Sequence, residues 1–130
     1  MTETPLLIID GANVVGSRPN GWWRDRAGAA ARLRDSLAPV ATVGLPARLP
    51  APVEVVLVVE GAARNVPGTD GVRVVSAAGS GDDTVVDLVR AAPQRRRLVV
   101  TADRELRARV TALGAEVYGP RWLHDAPATS

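Results

Sequence analysis

The sequence predicts an α/β fold in three layers, helices on both faces of a mostly parallel central sheet of about five strands. Three observations predict it. Runs such as Leu6-Leu7-Ile8-Ile9 and Val55-Val56-Leu57-Val58-Val59 carry no polar break, as strands buried on both faces do. Helical spacing separates most of these runs, and strands that alternate with helices pair in parallel. Finally, apolar runs end on acids: Asp10-Gly11, Glu60-Gly61 and, two residues beyond Leu98-Val99-Val100, Asp103. Open parallel sheets bind ligands beyond the carboxyl ends of their strands.

Taken in order, Leu6 to Ile9 is the first strand and Gly11 lets the chain turn sharply away. Gly16 to Gly21 reads as a turn-rich loop. A helical pattern opens at Trp22 and runs to Leu37, ended by Pro39 and Gly44. Thr42 to Pro52, with Pro46, Pro50 and Pro52, reads as linker. Val53 to Val59 is a second buried strand, rich in β-branched residues. Ala62 to Gly71 is loop, and Val72 to Val75 a short strand. Asp82-Asp83-Thr84 starts a helix from Asp83 to about Ala92, since aspartate suits a helix start. Leu98 to Val100 is a strand, Arg104 to Leu113 a helix stopped at Gly114, and Ala115 to Tyr118 the last strand. Arg121-Trp122-Leu123 is placed to pack back before a polar tail. The order is β-α-β-β-α-β-α-β. The expectation is one domain over 1–130, with its core at about 6–118 and a tail at 119–130.

The composition narrows the function. Of 130 residues, 46% are hydrophobic, and with no Phe, one Tyr and three Trp the core must be aliphatic. The chain has no Cys, which excludes disulfides and thiolate metal sites. All sixteen basic residues are Arg. A P-loop of the usual kind needs its Lys, and so does a protein kinase. Receiver domains and haloacid-dehalogenase phosphatases also place an aspartate at a strand end but rely on a Lys nearby. The pI near 10.3 accompanies a net charge of only +2, so it reflects missing buffering groups more than a basic surface. No secretory signal or membrane-length apolar run is visible, and the expected location is the cytoplasm.

Chemistry is expected at the acids. With parallel strands, Asp10, Asp103 and the Asp82-Asp83 helix start fall on one edge. Asp87 stands one turn beyond Asp83, roughly 5–6 Å away on the same helix face. Carboxylates gathered this way repel one another, and a hard divalent cation such as Mg²⁺ offsets the repulsion. Such ions activate water against a phosphodiester. Each acid also has a plainer role: Asp82, Asp83 or Asp103 as helix caps, Asp87 as a solvated helix residue, Glu60 as a loop cap or outer member of the cluster.

These runs together, Ile8-Ile9-Asp10-Gly11-Ala12-Asn13-Val14, Asp82-Asp83-Thr84-Val85-Val86-Asp87 and Val99-Val100-Thr101-Ala102-Asp103, resemble the NYN-domain branch of the PIN-like nucleases, and most of all its YacP-like group. The resemblance spans about Leu6 to Tyr118. It implies a metal-dependent endoribonuclease on a PIN-like fold. Carried over, Asp10, Asp83 and Asp103 are the metal-binding core for Mg²⁺ or Mn²⁺, and Asp87 is a fourth catalytic acid where the group commonly has Glu. Asn13 and Thr101 orient a ligand, a water or a carboxylate. The doublet leaves open whether Asp82 or Asp83 is the ligand. PIN-like domains often pair, so the resemblance also allows a homodimer.

The expected partner is single-stranded RNA. Arg18, Trp22, Trp23, Arg24 and Arg26 lie beside the Asp10 edge, where Arg can fork onto phosphate and Trp can stack on a base. Arg64, after Glu60, is a further candidate. Arg95-Arg96-Arg97 falls at the opposite, amino edge, as a solvated run or a second RNA contact. His124 receives no role. Two other classes stay open: a non-catalytic RNA-binding or partner-binding module with relic acids, and a phosphohydrolase of small nucleotides.

Overall fold

The computed structural model describes residues 4–16, 25–45 and 48–124. The main sheet has five strands, all parallel: β1 (Leu6–Asp10), β4 (Glu54–Val59), β5 (Arg73–Ser76), β6 (Arg97–Val100) and β7 (Glu116–Tyr118), in the order β5-β4-β1-β6-β7. The chain builds outward from β1 to β4 and β5, then returns to lay β6 and β7 on the other side. The gap between β1 and β6 is therefore the point where the winding reverses, and the carboxyl edge there is where such sheets bind ligands.

Strand alternation divides the core in two. Leu7, Ile9, Leu57, Val59, Leu98 and Val100 face the layer holding α1 (Gly11–Gly16) and α2 (Arg26–Leu37). Leu6, Ile8, Val56, Val58 and Val99 face α4 (Gly81–Arg90) and α5 (Arg104–Thr111). Both faces of the sheet are covered, which is why the middles of β1, β4 and β6 are unbroken aliphatic runs.

Two segments depart from expectation. The residues after Asp10 do not simply turn away: Gly11 to Gly16 forms α1, and Val14 and Val15 are buried in the core. Gly11 is needed there, because a Cβ would stand 2.5 Å from the Val58 carbonyl oxygen. The expected linker is also structured. It holds α3 (Val40–Val43) and a small antiparallel pair, β2 (Gly44–Leu45) with β3 (Leu49–Pro50). Leu45 and Leu49 are buried, so this segment closes the end of the core. Prolines masked an apolar pair that tertiary packing captures.

The α2 helix is described from Arg26, with Asp25 as its N-cap accepting the Gly28 N–H at 2.9 Å. The expected opening at Trp22 lies outside the described residues. At the end of the described chain, α6 (Arg121–His124) stacks Trp122 on Tyr118 with ring centroids 4.2 Å apart. Among the described residues no helix is long and apolar enough to cross a membrane.

Candidate functional site

The site grows out of strand parity. Ile8, Val58 and Val99 all face the α4–α5 layer. Two residues on, the same face receives Asp10 on β1, Glu60 after β4 and Thr101 after β6. Three neighbouring strands thus turn polar just past their carboxyl ends. Ile9 pairs with Val100, so Asp10 and Thr101 come side by side. The Thr101 hydroxyl donates to Asp10 Oδ2 at 2.8 Å and accepts the Asp103 N–H at 3.1 Å. This accounts for the Thr-x-Asp spacing: a hydroxyl bonds readily to the backbone two residues on. Here its own proton is left for Asp10, in a position fully shut off from solvent.

Asp10, Ala12, Asn13, Glu60, Asp82 and Asp103 line one open cleft of about 250 Å³. Most of these side chains also hold the local structure. Asn13, carried by α1, accepts the Ala102 N–H on its carbonyl at 2.8 Å and keeps its NH₂ donors for other partners. Asp103 N-caps α5 through Oδ1, which accepts the Leu106 N–H at 3.0 Å. Glu60 accepts the Gly81 N–H at the start of α4. Gly81 itself stands so close that a Cβ would lie 2.7 Å from Glu60 Oε2. The plainer cap role of Asp103 is therefore real, whereas Glu60 does not cap its own loop but holds the start of α4; both residues line the cleft as well.

The electrostatics are those of crowded acids. Burial raises the Asp10 carboxyl above its ordinary value, against hydrogen bonds from Thr101 and the Asn13 backbone, and the charges of Asp82 and Glu60 add to the rise. Burial likewise raises Asp82, helped by Asp103 and Glu60 and offset in part by Arg109. Asp10 and Asp82 are both made harder to ionise by burial and by acidic neighbours, a pattern typical of functional sites.

The helix register selects between the aspartates. The α4 helix begins at Gly81, two residues earlier than expected, with Ser80 as N-cap accepting the Asp82 N–H at 3.2 Å. Asp82 then faces the cleft. Asp83, about 100° further round the helix, turns to Arg109 on α5 at 3.0 Å. Asp87 lies outside the cleft too, exposed and paired with Arg90 at 3.3 Å. The residues one turn after Asp82, Val85 and Val86, are buried core. The fourth acid of the cleft is Glu60, not Asp87. The spacing Ser80-x-x-Asp83 is that of a capping box, and it was the signal for the earlier start.

Arg64 is exposed and bonds back to Gly61 O at 3.4 Å; it does not line the cleft. Arg18, Trp22, Trp23 and Arg24 lie outside the described residues. The Arg95-Arg96-Arg97 run is at the amino edge as expected, but it is structural. Arg95 ties to Thr4 O and Glu54, Arg96 forks onto Glu116, and Arg97 is buried.

Every donor facing the cleft is oxygen or amide, which suits a hard cation and no soft one. Among the described residues no three acids stand together within reach of one bare ion. The cleft is open and large enough for an ion that keeps several waters, the habit of Mg²⁺. The chemistry of the lining therefore fits a divalent cation that keeps part of its water shell.

No family model and no curated protein sequence matches the chain. Among solved structures, that of Rae1 (YacP) from Bacillus subtilis, in a point-mutant form, superposes with a TM-score of 0.75 at 18% identity, covering 93% of this chain and 73% of that one. The chain shares the YacP-like fold, as the motifs led us to expect.

Proposed function

We propose that the chain is a divalent-metal-dependent endoribonuclease. The observation that carries this reading is the convergence of Asp10, Asp82, Asp103 and Glu60, with Asn13, on one cleft at the reversal point of a parallel sheet. The YacP-like fold and the motifs that resemble YacP-like nucleases supply the substrate class. Asp10, Asp82 and Asp103 would hold Mg²⁺ or Mn²⁺, with Glu60 acting through water. When bound, the ion supplies the Lewis-acid chemistry that phosphodiester hydrolysis requires. The protein does the positioning. Thr101 fixes one oxygen of Asp10, and the carboxylate lines the cleft. Asn13 holds the loop before Asp103 by its carbonyl and can donate its NH₂ to a phosphate oxygen. Purified protein should cut single-stranded RNA only with a divalent ion added, and Asp10→Asn should abolish the cutting. Equal rates with and without Asp10 would sink the proposal.

One observation favours a second reading, an RNA-binding module without chemistry: no three acids are already set for one bare ion among the described residues. Calorimetric titration with Mn²⁺ separates the two. A saturable site that Asp82→Asn removes supports the nuclease; RNA binding without any metal site supports the module.

A further inference from the structure

A second cavity adjoins the acidic cleft across a shared wall. It holds about 140 Å³ and lies on the α1–α2 side of the carboxyl edge of β4. Val15, Ala30, Val59 and Ala63 give it an apolar lining, and Arg26 stands at its rim. Ala12 and Glu60 line both spaces. The cavity is far below the several hundred Å³ of a pocket for a whole drug-sized ligand. It matches a single aromatic ring system: an apolar cavity of about 150 Å³ accepts benzene. Its small side chains leave the room that a flat ring would fill. Glu60 borders the cavity from the end of β4, with its carboxylate turned to the α4 side, where Oε2 accepts the Gly81 N–H.

We propose that this cavity is a nucleobase subsite, receiving the base next to the phosphodiester held in the acidic cleft. This deepens the nuclease reading and rests on it for the neighbouring phosphate. Alternating parity makes the arrangement coherent. Glu60 continues the acid-bearing face of β4 and Val59 the opposite face, so one strand end borders both spaces. A nucleotide that lays its phosphate among the acids reaches over Ala12 and Glu60 with its base. Single-stranded RNA is read in part by stacking and apolar burial of its bases, and this lining supplies the apolar burial.

The test separates the subsite from the chemistry. Binding of guanosine monophosphate is measured calorimetrically in chelator, beside ribose 5-phosphate. Guanosine monophosphate should bind roughly tenfold or more tighter than ribose 5-phosphate, and Ala63→Met, which fills the cavity, should remove the difference. In the unaltered protein, the amide resonances of Gly61 and Ala63 should shift with guanosine monophosphate and stay in place with ribose 5-phosphate, a readout that stands if Ala63→Met does not fold. Equal binding of the two ligands, or unmoved Gly61 and Ala63 amides, overturns the subsite even if the protein cuts RNA. Base-dependent binding in a protein that cuts no RNA leaves the subsite standing and removes the nuclease.

Discussion

At the scale of single residues, the site depends on one buried hydroxyl. Thr101 donates to Asp10 and accepts from the Asp103 backbone, so it sets two acids at once. Thr101→Val keeps the shape and deletes both bonds. RNA cleavage should fall about 10–100-fold, the usual cost of losing a group that orients a metal-binding side chain, while Thr101→Ser should keep most of the rate. Comparable rates for the two variants would show that the hydroxyl positions nothing. Asp10 carries the opposite sign for stability. Burial and its acidic neighbours raise its folded-state pKa above the unfolded value, so above that pKa its charge costs folding free energy. The cost disappears as pH falls below the unfolded value. In metal-free protein at neutral pH, Asp10→Asn should therefore raise the Tm while abolishing cleavage, and the rise should vanish at low pH. A lower Tm in the variant at neutral pH would mean that the acid is compensated in some other way. The sequence announced Asp10 plainly, because a fully apolar strand ending in an acid has few innocent explanations. It could not announce that Thr101 is a bridge, because the bridge needs β6 laid beside β1.

At the scale of elements, the start of α4 decides which aspartate faces the cleft. Ser80 and the two aspartates are all good helix-start residues, and sequence pattern alone leaves the register open by one or two places. The structure resolves it through the Ser80 cap, which sends Asp82 to the cleft and Asp83 to Arg109. Asp82→Asn should then reduce cleavage by at least about 100-fold, and Asp83→Asn should leave the rate within roughly threefold, since exposed ion pairs contribute little. The reverse ranking, read from initial rates on one RNA, would restore the register expected from the motif. The strands were legible because an unbroken apolar run has one natural home. The short α1 was not, because Val-Val-Gly is a poor helix sequence and only burial of Val14 and Val15 recovers it. The pair β2–β3 was hidden for a similar reason: its prolines pointed to linker, and the burial of Leu45 and Leu49 is a tertiary fact.

At the scale of the whole molecule, the acid-lined cleft and a set of bonded arginines sit at opposite edges of one sheet. The carboxyl edge gathers acids that repel each other. The amino edge gathers arginines whose bonds are satisfied. Arg97 is 6% exposed and donates to Val89 O at 2.8 Å, Leu113 O at 2.9 Å and Arg95 O at 3.1 Å. Those carbonyls include the C-terminal ends of α4 and α5, where a positive charge meets the negative ends of both helices. Gly114 makes room for it, with φ +92° and a would-be Cβ 2.9 Å from Arg97 Nη2. A single guanidinium thus locks the far ends of the two helices whose near ends carry Asp82 and Asp103. Arg97→Met should cost about 3 kcal/mol, since it removes three hydrogen bonds made by one buried charged donor, and among the described residues only the Val89 carbonyl keeps a backbone donor, the Ala92 N–H. For a chain of this size that is a fall of roughly 10 °C in Tm. Well below the new Tm, kcat on RNA should be unchanged, because α4 and α5 are still capped at the cleft by Ser80 and Asp103. If instead kcat dropped with the fold intact by circular dichroism, the helices would be pivoting about their N-termini, and the amino edge would be setting the spacing of the acids as well as the stability of the chain.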